Sequence, residues 1–261
     1  MISDDASFTL RLAQDARDLK AAQRLRYTVF VEELGGTGPM VDHAARLEQD
    51  EFDPFFDHLL LIDPTRDPAL LNDVVGVYRL LPSDRLAQSG RFYSEGEYDL
   101  SVLKASGRRL LELGRSCVHA DYRGGTAMFH LWNALADYVL ERRIEVLFGV
   151  ASFHGTDVQA LAQPLAYLHH HHLAPPPLRV QARASHRQEM NLVSAGQLDR
   201  RAALAGTPAL IRAYLRLGGF VGDGAWRDLA FNTTDVCLVM DTAQMSAKHR
   251  AFYVRKQSRD A

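Results

Sequence analysis

Strand-like and helix-like patterns of apolar residues alternate along this chain. Phe8 to Leu12 reads as a short first strand. From Asp15 to Leu34 the apolar positions recur at helical spacing, and Gly35-Gly36 end that helix. His58 to Ile62 is a short apolar run closed by Asp63-Pro64. Val74 to Leu81 is β-branched and apolar on both faces, the pattern of a central strand. Leu110 to His119 predicts another strand. Gly124-Gly125 then open a helix with a stripe of Met128, Leu131, Trp132, Leu135, Tyr138 and Val139. Glu145 to Phe153 predicts a further strand, and Thr156 to His172 a helix broken at Pro164. Pro175-Pro176-Pro177 reads as an extended stop. The Arg- and Ala-rich stretch from Arg179 to Gly206 receives no element. Pro208 to Leu217 predicts a helix capped by Gly218-Gly219, and Ala225 to Asp241 one or two final strands. This order predicts an α/β fold with a mixed central β-sheet and helices on both faces.

Length and composition narrow the class. At 261 residues, with no internal repeat and no Gly/Ser linker, the chain is read as a single domain. A hydrophobic fraction of 47% beside 24% charged residues is enough for a sizeable core and excludes a disordered or fibrous chain. The formal charge of −2 gives no drive toward nucleic acid. Val158 to Leu178 carries no formal charge, but its histidines and prolines exclude it as a membrane span. The acidic start, Met1 to Asp5, lacks the apolar region of a signal peptide, so a cytoplasmic address is expected. Cys117 and Cys237 lie in apolar runs without a CxxC, which predicts buried free thiols. The run His169 to His172 points its rings in four directions on a helix, and no metal site is expected.

The informative residues are charges inside apolar patterns. Arg26 falls within the inner stripe Ala22, Leu25, Val29, Phe30 of the first helix. Arg79 shares a strand face with Val75, Val77 and Leu81. Glu112 and Arg115 sit among Leu110, Leu111, Leu113, Cys117 and Val118. An unpaired buried charge costs several kcal/mol, about 3–5 when a partner is removed. These arginines therefore require acids or an anionic ligand, and the acids at hand are Glu112 and the spaced set Glu48, Asp50, Asp53. Either a cleft with chemistry or a purely structural ion network satisfies that requirement. Strand residues three apart face opposite sides, so Glu112 and Arg115 can serve one cleft only across an irregularity. A bulge within Leu113 to Ser116 is predicted, with Gly114 as its signal.

These residues carry a resemblance. Arg24-Leu25-Arg26-Tyr27-Thr28-Val29-Phe30-Val31-Glu32-Glu33-Leu34-Gly35, the Glu48-x-Asp50-x-x-Asp53 spacing, Tyr78-Arg79-Leu80-Leu81-Pro82 and Glu112-x-x-Arg115 resemble bacterial N-acyl amino acid synthases and acyl-homoserine-lactone synthases, which share a GNAT-like fold. Phe52-Asp53-Pro54 with Asp57-His58-Leu59-Leu60, Phe92-Tyr93-Ser94-Glu95, Leu111-Glu112-Leu113-Gly114-Arg115-Ser116-Cys117-Val118, Gly149 to Gly155 and Leu173-Ala174-Pro175-Pro176 are more similar to the ornithine lipid N-acyltransferase family. Lactone synthases carry a Trp where Gly36 stands here. They also lack the insert read at about 156–206.

The resemblance implies transfer of a 3-hydroxyacyl group from acyl carrier protein to the α-amine of L-ornithine, giving lyso-ornithine lipid, with no permanently bound cofactor. It implies Glu112 and Arg115 as catalytic residues, and Arg26, Phe30, Glu48, Asp50, Asp53 and Arg79 around the amino acid. The phosphopantetheine arm is expected at Cys117, Val118, Arg123, Gly124, Gly125, Ser152 and Phe153, with direct attack by the amine rather than a Cys117 acyl-enzyme. In Arg123-Gly124-Gly125-Thr126-Ala127-Met128, Thr126 replaces a glycine of the pyrophosphate cradle of acetyl-CoA-binding relatives. A single phosphodiester still suits a helix N-terminus, which favours a carrier protein over CoA. Arg108-Arg109, Arg142-Arg143, Arg183, Arg187, Arg200 and Arg201 are candidates for docking that acidic partner. The tail at about 244–261, with Lys248, Arg250, Arg255, Lys256 and Arg259, is a candidate contact to anionic lipid. Two alternatives stand beside this reading: another amine acceptor, or a non-catalytic acyl-binding module.

Overall fold

The computed structural model describes residues 8–244. In chain order its first elements are β1 (Thr9–Leu12), α1 (Ala16–Arg26), β2 (Asp57–Ile62), β3 (Val74–Pro82), α2 (Leu86–Ser89), β4 (Tyr98–Asp99), α3 (Ser101–Lys104), β5 (Leu110–Val118) and α4 (Ala127–Glu141). There follow β6 (Val146–His154), α5 (Ala162–His172), β7 (Gln181–Ala182), β8 (Arg187–Gln188), α6 (Arg200–Gly206), α7 (Ala209–Arg216), β9 (Phe220–Val221), β10 (Ala225–Asp228) and β11 (Thr233–Asp241). The acidic start and the basic residues from Lys248 onward lie outside the described residues. No helix among the described residues is long and apolar enough to cross a membrane.

The chain divides into two compact units, one of residues 8–90 and 113–143, the other of residues 91–112 and 144–244. In the first the strand order is β1-β2-β3-β5, with β1/β2 and β2/β3 antiparallel. Helix α1 starts at Asp15, whose side chain accepts the Asp18 N–H. Its stripe of Ala21, Ala22, Leu25 and the following Val29 packs against Leu60, Val77 and Cys117. Helix α4 lies on the other face. Gly76 and Tyr78 alternate with Val77 along β3; Leu131 approaches Gly76, and Trp132 Nε1–H donates to the Tyr78 hydroxyl at 3.2 Å. Burying side chains of this kind is worth about 1.5–3 kcal/mol each.

The second unit orders its strands β5-β6-β11-β10-β8, with β9 beside β11. Leu110–Glu112 run parallel to Val146–Phe148, while β6/β11 and β10/β11 are antiparallel, so the sheet is mixed as predicted. Phe92 stacks edge-on against Phe148 at 4.9 Å. The stretch left unassigned from sequence belongs to this unit. Its β7 pairs with β4, its β8 with β10, and α6 packs on α5.

Four expectations are corrected in detail. The first helix is not uniform: its α-turns stop at Arg26 and Tyr27–Glu33 continue as a π-helix, before Gly35 takes φ +72°. Pro164 does not break α5, because it falls in the first turn, where no intrahelical N–H is required of it. Pro176–Leu178 form a 3₁₀ turn rather than an extended stop. The irregularity of β5 lies in the predicted segment, but Arg115, not Gly114, takes the left-handed backbone, with φ +48°. A side chain at Gly76 would meet Leu131 Cδ1 at 2.9 Å and Leu61 Cβ at 3.1 Å. Gly76→Val is expected to lower unfolding stability by about 1–3 kcal/mol in denaturant titrations. An unchanged midpoint would mean that α4 does not sit this closely on β3.

Candidate functional site

Six of the predicted charges meet in the first unit. Arg26 is wholly buried on α1. Its Nε–H donates to Glu48 and its Nη1 to Asp53 Oδ1 at 2.6 Å. Arg79, also wholly buried, reaches Asp50 at 2.6 Å and Asp53 at 2.9 Å through Nη1, and its guanidinium lies over the Phe56 ring at 4.3 Å. Arg115 completes the set, its Nε 3.2 Å from Glu48 and its Nη2 3.4 Å from Asp50. Three acids thus face three arginines, each acid shared between two of them. Such sharing is what makes buried charge tolerable. Ion pairs on both sides also hold Arg115 in a backbone conformation that costs a non-glycine residue about 1–2 kcal/mol.

The electrostatics follow from this sharing. Burial pushes the Glu48 carboxyl up, but Arg115 and Arg26 outweigh it and bring the group down to about 2. Asp53 is likewise held well below the usual carboxylate range, where Arg26 and Arg79 overcome its burial. Burial lowers His58, with Arg26 and Arg79 adding to that against the opposing pull of Asp53. Its Nε2–H donates to the Asp53 carbonyl at 3.0 Å. Gln23 Nε2–H donates to Asp53 Oδ2 at 2.9 Å. Gln23, Phe56 and His58 were not singled out from sequence. The signal for His58 was its polarity at an inward position of β2, directly opposite Arg79 in the ladder.

Glu48 and Asp53 are fully buried, whereas the side chains of Asp50 and Arg115 keep 17% and 15% of their surface. The cluster is therefore closed at one end and open at the Asp50–Arg115 end. Each of its three acids already faces two arginines. Phe30 is half-buried against the apolar cluster of α1, β2 and β3. Cys117 belongs to that cluster too, and burial pushes its thiol up to about 12. Val118 is buried; its carbonyl accepts Arg123 Nε–H at 2.9 Å. Arg123 also pairs with Glu33 at 2.7 Å, and Gly124 takes φ +80° two residues ahead of the α4 cap.

Glu112 belongs to the second unit. Its carboxylate accepts the N–H groups of Tyr93 at 2.8 Å and Ser94 at 2.6 Å, and the Ser94 hydroxyl. Ser152 on β6 is exposed and Phe153 buried. Arg108, Arg142 and Arg187 of the docking set are engaged with Asp241, Asp57 and Asp223. Glu97, Asp228 and Asp235 bring one carboxylate oxygen each within 4.8 Å of one another, a grouping that the sequence pattern did not reveal. Its hard oxygen donors would suit an ion of the calcium or magnesium kind.

Comparison with known proteins places this geometry. Residues 25–133 match the family described as acetyltransferase (GNAT) domain. The chain is 66% identical over 256 residues to an L-ornithine N(alpha)-acyltransferase of Rhodobacter capsulatus, covering 98% of each protein. The chain belongs to the L-ornithine N(alpha)-acyltransferase family. A second member, from Brucella abortus, is 37% identical over 97% of this chain and 91% of its own length. The chain is thus an acyltransferase with a GNAT fold. The fold is shared with FeeM, an N-acyl amino acid synthase from uncultured soil microbes, at a TM-score of 0.51 and 12% identity over 91% of this chain and 94% of that one.

Replacing Arg26 with Leu leaves Glu48 and Asp53 each short of a buried partner and is expected to cost about 3–5 kcal/mol of unfolding free energy. Both carboxyls are depressed in the fold, so they contribute stability above about pH 4.5 that is lost as pH falls toward 2. The thermal midpoint of the wild type should drop over that interval, and less steeply in Glu48→Gln. Equal slopes would contradict the assigned ion pairs.

Proposed function

We propose that this chain moves a 3-hydroxyacyl group from acyl carrier protein to the α-amine of L-ornithine, giving lyso-ornithine lipid. The observation that carries the reading is the half-open end of the charged cluster, in a chain 66% identical to an L-ornithine N(alpha)-acyltransferase. A free amino acid with a cationic side chain brings one carboxylate and one further cation. Arg115 offers the carboxylate a planar fork, and Asp50 offers the side-chain ammonium an acceptor. Arg26, Arg79, Glu48 and Asp53 hold those two groups in place from beneath.

In the reaction the α-amine first gives up a proton. Glu112 is its acceptor, directly or through water. The neutral nitrogen then attacks the thioester carbonyl and the N–C bond forms; as the C–S bond breaks, the departing thiolate takes the proton held on Glu112, and the second proton of the nitrogen passes to the freed carboxylate and on to water. Cys117 supports direct attack by its inertness: a thiol held at about 12 is protonated at neutral pH and is no nucleophile. The acyl group arrives on a phosphopantetheine arm as co-substrate, with no resident cofactor. The turn Arg123-Gly124-Gly125 ahead of α4 suits its single phosphodiester, and the exposed, arginine-bearing surface suits an acidic carrier.

The test is a panel of amino acids supplied with 3-hydroxyacyl carrier protein, beside mass spectrometry of lipids from cells expressing the protein. A 3-hydroxyacyl-ornithine species and turnover at least tenfold faster with ornithine than with lysine or glycine are expected. Equal rates across the panel would assign a different acceptor. Full turnover by a folded Glu112→Ala variant would remove the catalytic role of that residue.

A further inference from the structure

The segment Phe92-Tyr93-Ser94-Glu95 has no part in the mechanism above, yet it is built as a socket for one carboxylate. Phe92 is completely buried and packs edge-on against Phe148, which fixes the start of the turn. Glu95 closes the turn by accepting the Phe92 N–H at 3.0 Å, and Lys104 holds Glu95 in place at 3.0 Å. Between these anchors Tyr93–Gly96 wind into a 3₁₀ turn. Its first two N–H groups and the Ser94 hydroxyl converge on Glu112: Tyr93 on Oε2, Ser94 N–H and Oγ–H both on Oε1. Ser94 and Glu112 are each 1% exposed.

We infer that Ser94 is a positioning residue for the acyl transfer, its hydroxyl holding Glu112 ionised and in one rotamer so that it is ready to receive the amine's proton. The inference rests on the reading of Glu112 as proton acceptor and assigns it a supporting group. Three donors aimed at a buried carboxylate favour its charged form and oppose the neutral form that burial alone would favour. Two of these donors are backbone N–H groups, which a substitution at Ser94 leaves in place. The hydroxyl can be removed by itself. A serine also retains acceptor capacity on the same oxygen. Alanine fills the same backbone without a donor, threonine restores the donor, and cysteine offers a weaker one.

The experiment is the pH profile of kcat/KM with ornithine and 3-hydroxyacyl carrier protein, measured for wild type, Ser94→Ala, Ser94→Thr, Ser94→Cys and Glu112→Gln, with unfolding midpoints taken in parallel. Loss of a donor to the charged form should move the acid limb of Ser94→Ala up by about one pH unit. Ser94→Thr should return the limb to the wild-type position, and Ser94→Cys should fall between. An acid limb that stays in place in Ser94→Ala, whether or not the midpoint drops, would overturn the inference and leave Ser94 a packing residue only. If Ser94→Ala fails to fold, an unshifted limb in Ser94→Cys has the same consequence. Glu112→Gln separates the two levels. A wild-type rate there would overturn Glu112 as acceptor and Ser94 with it. Loss of turnover there beside an unshifted Ser94→Ala limb would overturn the role of Ser94 alone.

Discussion

The constraint on which the first unit depends is the mutual neutralisation of three arginines and three carboxylates, two of each buried, at the junction of α1, β3 and β5. Arg26 and Arg79 have no exposed surface, so every contact that satisfies them must come from within the protein. The loop of Glu48, Asp50 and Asp53 supplies ion pairs to both, and its backbone is tied to α1 by the Glu48 N–H donating to the Gln23 carbonyl and to β2 by His58 donating to the Asp53 carbonyl. A loop in this position would otherwise be free to vary. Here its acids fix its conformation, and the strand that carries Arg115 is drawn out of regular geometry to meet them.

The same sharing gives the site its character. A cluster with an excess of acid would attract any cation, and one with an excess of arginine any anion. With matched charges and only Asp50 and Arg115 partly exposed, the proposed ligand is one that carries both signs at a fixed spacing. In the other unit, Glu112 accepts hydrogen bonds from a single turn. Three hydrogen bonds from that turn converge on its two oxygens.

Much of this could be read from the sequence because buried charge is rare. Arg26 in an apolar stripe, Arg79 in a strand apolar on both faces and the spaced acids were recognisable as a set before any coordinates, and so was the irregularity near Gly114. Periodicity also placed the main strands and α4. What sequence could not give was the pairing. Glu112 and Arg115 lie three positions apart, and spacing alone does not say which groups each meets. The left-handed turn at Arg115 brings its guanidinium to Glu48 and Asp50. The π-helix after Arg26 was hidden because its apolar spacing over seven residues matches that of an α-helix closely. The short strands β7 and β8 were hidden because two residues carry no period at all. Ser94 stood in a motif whose only visible property was its resemblance, since a hydroxyl's role depends on a partner eighteen residues away.

In the proposed reading the closed end of the charged cluster maintains the fold while the open end receives the amino acid. Unfolding free energy and the KM for ornithine, measured in Asp53→Asn and Asp50→Asn, separate the two ends. Asp53→Asn should lose about 3 kcal/mol or more of stability. Asp50→Asn, by contrast, should stay within about 1 kcal/mol of wild type and raise KM roughly tenfold or more. An Asp50→Asn enzyme with unchanged KM, or two variants destabilised alike, would contradict it.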